Sequence, residues 1–208
     1  MGLDQAEVDD WYRGKEFAYD WTSQNLEQWA AVLAPLRDRP SRLLEIGSYE
    51  GRSAVFFLSF LPRASLVCID AWDPEVLEPE LVRQMPEFAS DYLLAEGRFD
   101  GNTAAFGDRV TKIKGRSGDV LAELGVGGDR FDMIYVDGDH RRMAAYRDCV
   151  LSWPLLVSGG ILILDDYRWG VQLADDLKPK QGIDAFLGTI DGQFEELERG
   201  HQIIGRKR

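Results

Sequence analysis

Leu26, Trp29, Ala30, Leu33 and Leu36 recur at helical spacing and give the segment before Pro40 one apolar face. The spacing predicts a helical N-terminal segment over residues 1–40. From Arg42 the period changes. Short apolar runs at 42–46, 65–70, 110–114, 131–136 and 160–164 predict five strands. Helical stretches separate them, at 51–61, from Ser117 onward, at 141–156 and near 183–187. Residues 73–98 are acidic, carry Pro74, Pro79 and Pro86, and read as an insertion or lid. Two last strands, 194–197 and 202–205, flank a Gly200-His201 turn and predict an antiparallel hairpin.

Strands alternating with helices imply an α/β fold, a mostly parallel sheet with helices on both faces. Central strands of such sheets are buried on both sides and read as unbroken apolar runs. VCI, MIYV and ILIL do so. No repeat, low-complexity stretch or linker interrupts the chain, so residues 1–208 are expected to form one domain.

The first strand runs into Glu45-Ile46-Gly47-Ser48-Tyr49-Glu50-Gly51-Arg52-Ser53. Gly47 permits a tight turn, and Gly51 is expected to let backbone approach a ligand. The following helix offers free N–H groups. The spacing G-x-x-x-G departs from the G-x-G-x-x-G of dinucleotide sites, which disfavours a nicotinamide cofactor. Asp70 ends the second strand, where a carboxylate can accept from both ribose hydroxyls. Trp72 follows, and is expected to stack on an adenine. Each feature also has an ordinary structural use as a turn, a cap or core. Their order along the chain, with Ser117 after the third strand, favours a nucleoside-bearing ligand.

LLEIGSYEGRSAVFFLSFLPRASLVCIDAW resembles the first two motifs of catechol O-methyltransferase-like enzymes. FDMIYVDGDHRRMAAYRDCVLSWPLLVSGGILILDDY is similar to bacterial methyltransferase family 24, which includes metal-dependent sugar O-methyltransferases of antibiotic biosynthesis. The resemblance covers residues 42–167. It implies a Rossmann-like class I methyltransferase fold, a seven-stranded sheet whose final hairpin sets it apart from all-parallel nucleotide-binding sheets. It implies S-adenosylmethionine as cofactor. Glu45, Gly47, Ser48 and Ser53 would hold its methionine part, Asp70 its ribose, and Ser117 and Gly118 would border its adenine. Asp137, Asp165 and Asp166 fall on the family's metal-ligand positions, and Asp139 on the general-base position of the sugar-modifying branch. The catechol branch has Asn in place of Asp166 and a Lys base near His140. This chain has neither, which places it nearer the sugar-modifying branch. Related enzymes are often homo-oligomers.

The acids alone point the same way. Asp137 ends the fourth strand, and Asp165 and Asp166 end the fifth. Ligands of open α/β sheets bind outside these carboxyl ends. Three converging carboxylates repel unless a positive group joins them. With no cysteine nearby, an all-oxygen site favours a hard cation such as Mg²⁺. A bound cation would lower the pKa of an acceptor hydroxyl, and a nearby base would take its proton. Asp139 is the first candidate for that base and His140 the second. The same acids also fit loop caps after strands four and five.

Net charge is −12. Nucleic-acid binders rely on basic surfaces, so such partners are disfavoured and a small-molecule acceptor is expected. Pro and charged residues interrupt every apolar run, so no membrane span is expected. The start MGLDQAEVDD is acidic and lacks the basic, apolar pattern of a secretory signal, which leads to a cytoplasmic expectation. Cys68 and Cys149 read as buried thiols.

Overall fold

Every apolar run becomes a strand in the computed structural model, which describes residues 2–77, 79–84 and 86–208. Met1, Glu78 and Met85 lie outside the described residues, the last two within the expected insertion. The strands are β1 (Ser41–Ile46), β2 (Ala64–Asp70), β3 (Val110–Lys114), β4 (Phe131–Val136), β5 (Leu156–Leu164), β6 (Phe194–Arg199) and β7 (Ile203–Lys207). They form one sheet in the order β3-β2-β1-β4-β5-β7-β6. The first five are parallel, and β7 lies antiparallel between β5 and β6. The expected fold class is the observed one. Strand order reverses between β1 and β4, which opens a crevice beyond their carboxyl ends.

Alternate strand residues face opposite layers. Leu43, Met133, Tyr135 and Ile163 join Trp29, Phe56 and Phe57 on one face. Leu44, Ile134, Val136 and Leu162 join Trp153, Ile183 and Phe186 on the other. The first layer is supplied by α1 (Gln5–Tyr12), α2 (Leu26–Leu33), α3 (Arg52–Phe60) and α5 (Pro86–Thr103), with α4 (Pro79–Gln84) before the last of these. The second is supplied by α6 (Ser117–Gly127), α7 (Arg142–Ser152) and α8 (Lys180–Thr189). Both cysteines are buried and free. No helix of the described residues is long and apolar enough to cross a membrane.

Three boundaries differ from expectation for identifiable reasons. The N-terminal 40 residues are not helical throughout. α1 ends at Tyr12, and Gly14 follows in the left-handed region at φ +72°. The acidic insertion, expected to be irregular or helical, is mostly helix, because Pro79 and Pro86 sit at helix starts, where a missing N–H costs nothing. α5 continues to Thr103 because Phe88, Tyr92, Ala95 and Phe99 form a buried stripe at helical spacing. β5 begins at Leu156 rather than Gly160, because Leu156 already pairs with Phe131.

Candidate active site

A cavity of about 560 Å³ lies outside the carboxyl ends of β1, β2, β4 and β5. Its wall includes Gly47, Ser48, Ser53, Asp70 and Ser117 on one side and Asp137, Asp139, His140, Asp165 and Asp166 on the other.

Gly47 has φ +89°, and a Cβ there would stand 1.9 Å from the Asp137 carbonyl oxygen. The residue is small so that the loop after β1 can meet the end of β4, which brings the two sides of the cavity together. Asp70 accepts from the backbone N–H of Tyr49 at 2.8 Å and of Trp72 at 2.9 Å, and from the Tyr92 hydroxyl at 2.7 Å. Tyr49 and Trp72 are both left-handed, at φ 44° and 40°. The carboxylate holds two strained peptides in place. Ser53 donates to Glu45 Oε1 at 2.5 Å. Glu45 lies wholly buried behind Ser53, and burial pushes its carboxyl up to about 7. Glu45 Oε2, Ser48 Oγ and the Tyr49 hydroxyl are buried with no hydrogen-bond partner among the described residues.

Three expected contributors stand elsewhere. Trp72 was expected to meet an adenine. Its indole instead donates to the Tyr49 carbonyl at 2.8 Å and packs on Phe99, with 5% exposure. It is core, and the left-handed backbone turns it inward. Gly51 was expected to face a ligand. It faces α5, where a Cβ would meet Phe99 at 3.0 Å and Thr103 at 3.2 Å. Gly118 sits beneath the Arg147 side chain, 2.8 Å from where its own Cβ would be, and not on the cavity wall. Ser117 does line the cavity. Its hydroxyl lies 2.9 Å from both oxygens of Asp148, a buried carboxylate that Arg147 also holds. No periodic signal marks Asp148, which occupies a buried position of α7.

The acidic side is more crowded than expected. The Tyr135 hydroxyl lies between Asp137 Oδ2, at 2.9 Å, and Asp165 Oδ2, and its single proton can serve one at a time. Asp166 has φ 56° and meets both histidines of the chain, His140 Nε2 at Oδ2 and His201 Nε2 at Oδ1, the latter at 3.0 Å. The hairpin explains the convergence. Ile203 pairs with Leu164 in antiparallel register, so Gln202 and His201 come opposite Asp165 and Asp166. Two donor sets result among the described residues, Asp137-His140-Asp166 and Asp165-Asp166-His201. The all-oxygen expectation left these imidazoles out. Imidazole reaches both sets, and such mixed sites suit manganese, cobalt or zinc as well as magnesium.

Burial, and then the charges of Asp165 and Asp166, hold the Asp137 carboxyl well above its ordinary range. Burial and Asp166 push Asp165 up to about 6. Burial opposes ionisation of Asp166 as well, yet the two imidazoles hold it below the usual carboxylate range. Burial works against a charged His140, and the neighbouring Asp166 outweighs it, so its pKa is raised. With all three carboxylates ionised the cluster would carry more negative charge than its two imidazoles neutralise, which is the donor chemistry a divalent cation fits. Asp139 stands apart, with both oxygens engaged by the Arg141 guanidinium and one also by the Arg141 N–H at 3.0 Å.

O-methyltransferase hkm8 of Aspergillus hancockii is 28% identical over 140 residues, 64% of this chain and 47% of that protein. Among solved structures, the O-methyltransferase from Bacillus cereus in complex with SAH superposes with a TM-score of 0.64 at 17% identity, over 98% of this chain and 90% of that one. MycE, the methyltransferase from the mycinamycin biosynthetic pathway in complex with Mg, SAH and mycinamycin VI, superposes with a TM-score of 0.63 at 17% identity, over 99% of this chain and 55% of its own. The chain thus spans about half the length of hkm8 and of MycE. At such identities the solved structures establish the fold alone. The family model of methyltransferase domains matches residues 44–167, from the glycine loop through the paired acids, and the chain belongs to that family.

Proposed function

We propose that this chain is an S-adenosylmethionine-dependent O-methyltransferase that acts on a hydroxyl of a small molecule and uses a divalent cation. The observation that carries the reading is that the Asp70–Ser53 wall and the overcharged Asp137–Asp165–Asp166 cluster open into one cavity. The first wall suits the cofactor. Asp70 keeps acceptor capacity for ribose hydroxyls, since each carboxylate oxygen offers about two sites. Ser117 borders the nucleoside end. Ser48 and Ser53, with Glu45 behind them, face the methionine end, and the unpartnered oxygens there call for a ligand with donors, such as an ammonium. The neighbours crystallised with SAH and Mg support the same reading.

Asp137, Asp165 and Asp166 would hold the cation, with His201 within reach of the set. A divalent ion there supplies a lowered pKa and a fixed position for the acceptor hydroxyl. The acceptor oxygen attacks the methyl carbon of the sulfonium. The O–C bond forms as the S–C bond breaks, and the bonding pair leaves with sulfur as the neutral thioether. The hydroxyl proton goes to the ring nitrogen of His140 other than Nε2, because Nε2 faces Asp166 Oδ2 and donates to it, and that carboxylate stabilises the imidazolium. Asp139 is the second candidate for this step, since the guanidinium of Arg141 engages both of its oxygens. The apolar wall of Trp21, Phe88, Leu77, Leu173 and Leu177 suits an acceptor with an apolar body, as in a natural product.

Ligand binding tests the reading without knowledge of the acceptor. SAH should raise Tm, since a ligand of the native state stabilises it, and NAD should not. Mn²⁺ should bind by calorimetry to the wild type and far more weakly to Asp165→Asn, with SAH binding retained. Stabilisation by NAD in place of SAH would overturn the methyltransferase reading, and full turnover in excess EDTA would overturn the cation.

A further inference from the structure

Gln202 is 1% exposed just before β7 and bridges two parts of the molecule that the proposed chemistry does not otherwise join. Its Oε1 accepts from the indole N–H of Trp29 in α2 at 2.8 Å. Its Nε2 donates to Asp165 Oδ2 at 2.8 Å. Trp29 is fully buried and packs its ring against Phe56, Phe57 and Tyr135.

We propose that Gln202 is a positioning residue for the cation centre, set in its working orientation by Trp29. An indole N–H can donate and cannot accept, so the oxygen end of the amide must face Trp29. The NH₂ end is thereby committed to Asp165. A flipped amide would set donor against donor at Trp29 and acceptor against acceptor at Asp165, and buried mismatches of that kind are costly. Asp165 is then held at both oxygens. The Asp166 N–H binds Oδ1 at 2.7 Å, and Gln202 and Tyr135 bind Oδ2. A carboxylate fixed in this way keeps one rotamer. The donor that fixes it is an amide, which brings no charge of its own to compete with a cation. Partners that orient a ligand from behind commonly carry a 10–100-fold share of metal affinity.

This assignment rests on the cation reading of the acidic centre, and its test separates the two. Mn²⁺ affinity and SAH affinity are measured by calorimetry on the full chain and its variants. Gln202→Met, which keeps length and apolar bulk, should weaken Mn²⁺ by about 10–100-fold and leave SAH unchanged. Trp29→Phe keeps an aromatic ring, removes the N–H and frees the amide to turn, so it should weaken Mn²⁺ in the same direction by less. The double variant should bind no more weakly than Gln202→Met alone, because Trp29 acts only through Gln202. Wild-type Mn²⁺ affinity in Gln202→Met, additive losses in the double variant, or a joint fall of Mn²⁺ and SAH affinity would each overturn the assignment. If Gln202→Met fails to fold, Trp29→Phe decides alone, and unchanged Mn²⁺ affinity overturns it. A wild type that binds SAH and no Mn²⁺ overturns the cation reading and this assignment together.

Discussion

The two walls of the cavity are built on opposite principles. At the end of β2, Asp70 has three hydrogen bonds from its own chain, and those bonds hold the left-handed peptides at Tyr49 and Trp72. At the ends of β4 and β5, three carboxylates crowd one tyrosine hydroxyl and two imidazoles, and two of the three resist ionisation. At Asp70 the shape of the first wall is fixed before any ligand arrives, while Ser48 Oγ and Glu45 Oε2 beside it still lack a partner among the described residues. The second is frustrated without a positive partner. The comparison teaches that one cavity can recognise by preformed geometry on one side and by stored charge on the other. Glu45 is the exception on the first wall, a buried carboxyl also held above its ordinary range by burial.

The sharpest way to break the comparison is catalytic. His140→Ala should lower kcat by about 10²–10⁴-fold, the usual contribution of a general base, and leave SAH affinity intact. Asp139→Asn should cost much less, and rates of both variants on a hydroxyl acceptor that the wild type methylates decide between them. A collapse with Asp139→Asn and a near-normal His140→Ala would return the base to Asp139.

Next in size is the preformed wall. Asp70→Ala should weaken SAH by about 10–100-fold, as expected for loss of hydrogen bonds to a charged acceptor. It should also lower Tm, since two buried N–H groups and one hydroxyl lose their partner. Unchanged SAH affinity in calorimetry would show that the ribose is held elsewhere.

The frustrated wall predicts a pH dependence. Glu45 and Asp165 have folded pKa values of about 7 and about 6, above their ordinary 4.5 and 3.8. The native state therefore binds their protons more tightly than the unfolded chain does. Stability is greatest below the ordinary values and falls as pH rises through the folded ones. His140 and His201, both raised, lose their contribution in the same direction as pH rises. At ~1.4 kcal/mol per tenfold change in proton affinity and ~2–4 °C per kcal/mol, the ligand-free Tm should fall by on the order of 10 °C from about pH 5 to about pH 8. Mn²⁺ should flatten the decline by restoring charge balance at Asp165, and a scan with equal slopes would remove the frustration from the comparison.

The smallest effect concerns Trp72. Trp72→Phe removes one hydrogen bond to the Tyr49 carbonyl, worth ~0.5–1.5 kcal/mol. Tm should drop slightly and SAH affinity should not change. A large loss of SAH affinity would return the indole to the cofactor.

The sheet was legible because its central strands are unbroken apolar runs, and Asp70, Asp137 and the acid pair were legible because they follow those runs directly. Features that depend on distant packing were hidden. Trp72 turns inward because α5 brings Phe99 to it, 27 positions later. Gly51 reads as a ligand-facing glycine, and only the position of α5 shows what lies opposite. His201 and Gln202 reach the acids through the register of β7 on β5, which a turn signal at Gly200-His201 announces without specifying. Tyr135 was visible only as one more apolar residue of MIYV, although strand alternation turns its hydroxyl to the acids.

The left-handed backbone at Asp166 has a consequence for how such a centre changes over generations. Of the residues with a side chain, Asn and Asp enter that conformation most readily. Exchange of Asp166 for Asn would thus subtract one negative charge from the cluster while the chain path stays as it is. Exchange for a β-branched or bulky residue would disturb the turn itself. The backbone at this position accepts two charge values and few other shapes, so a single exchange to Asn would change the charge of the centre and leave the fold as it is.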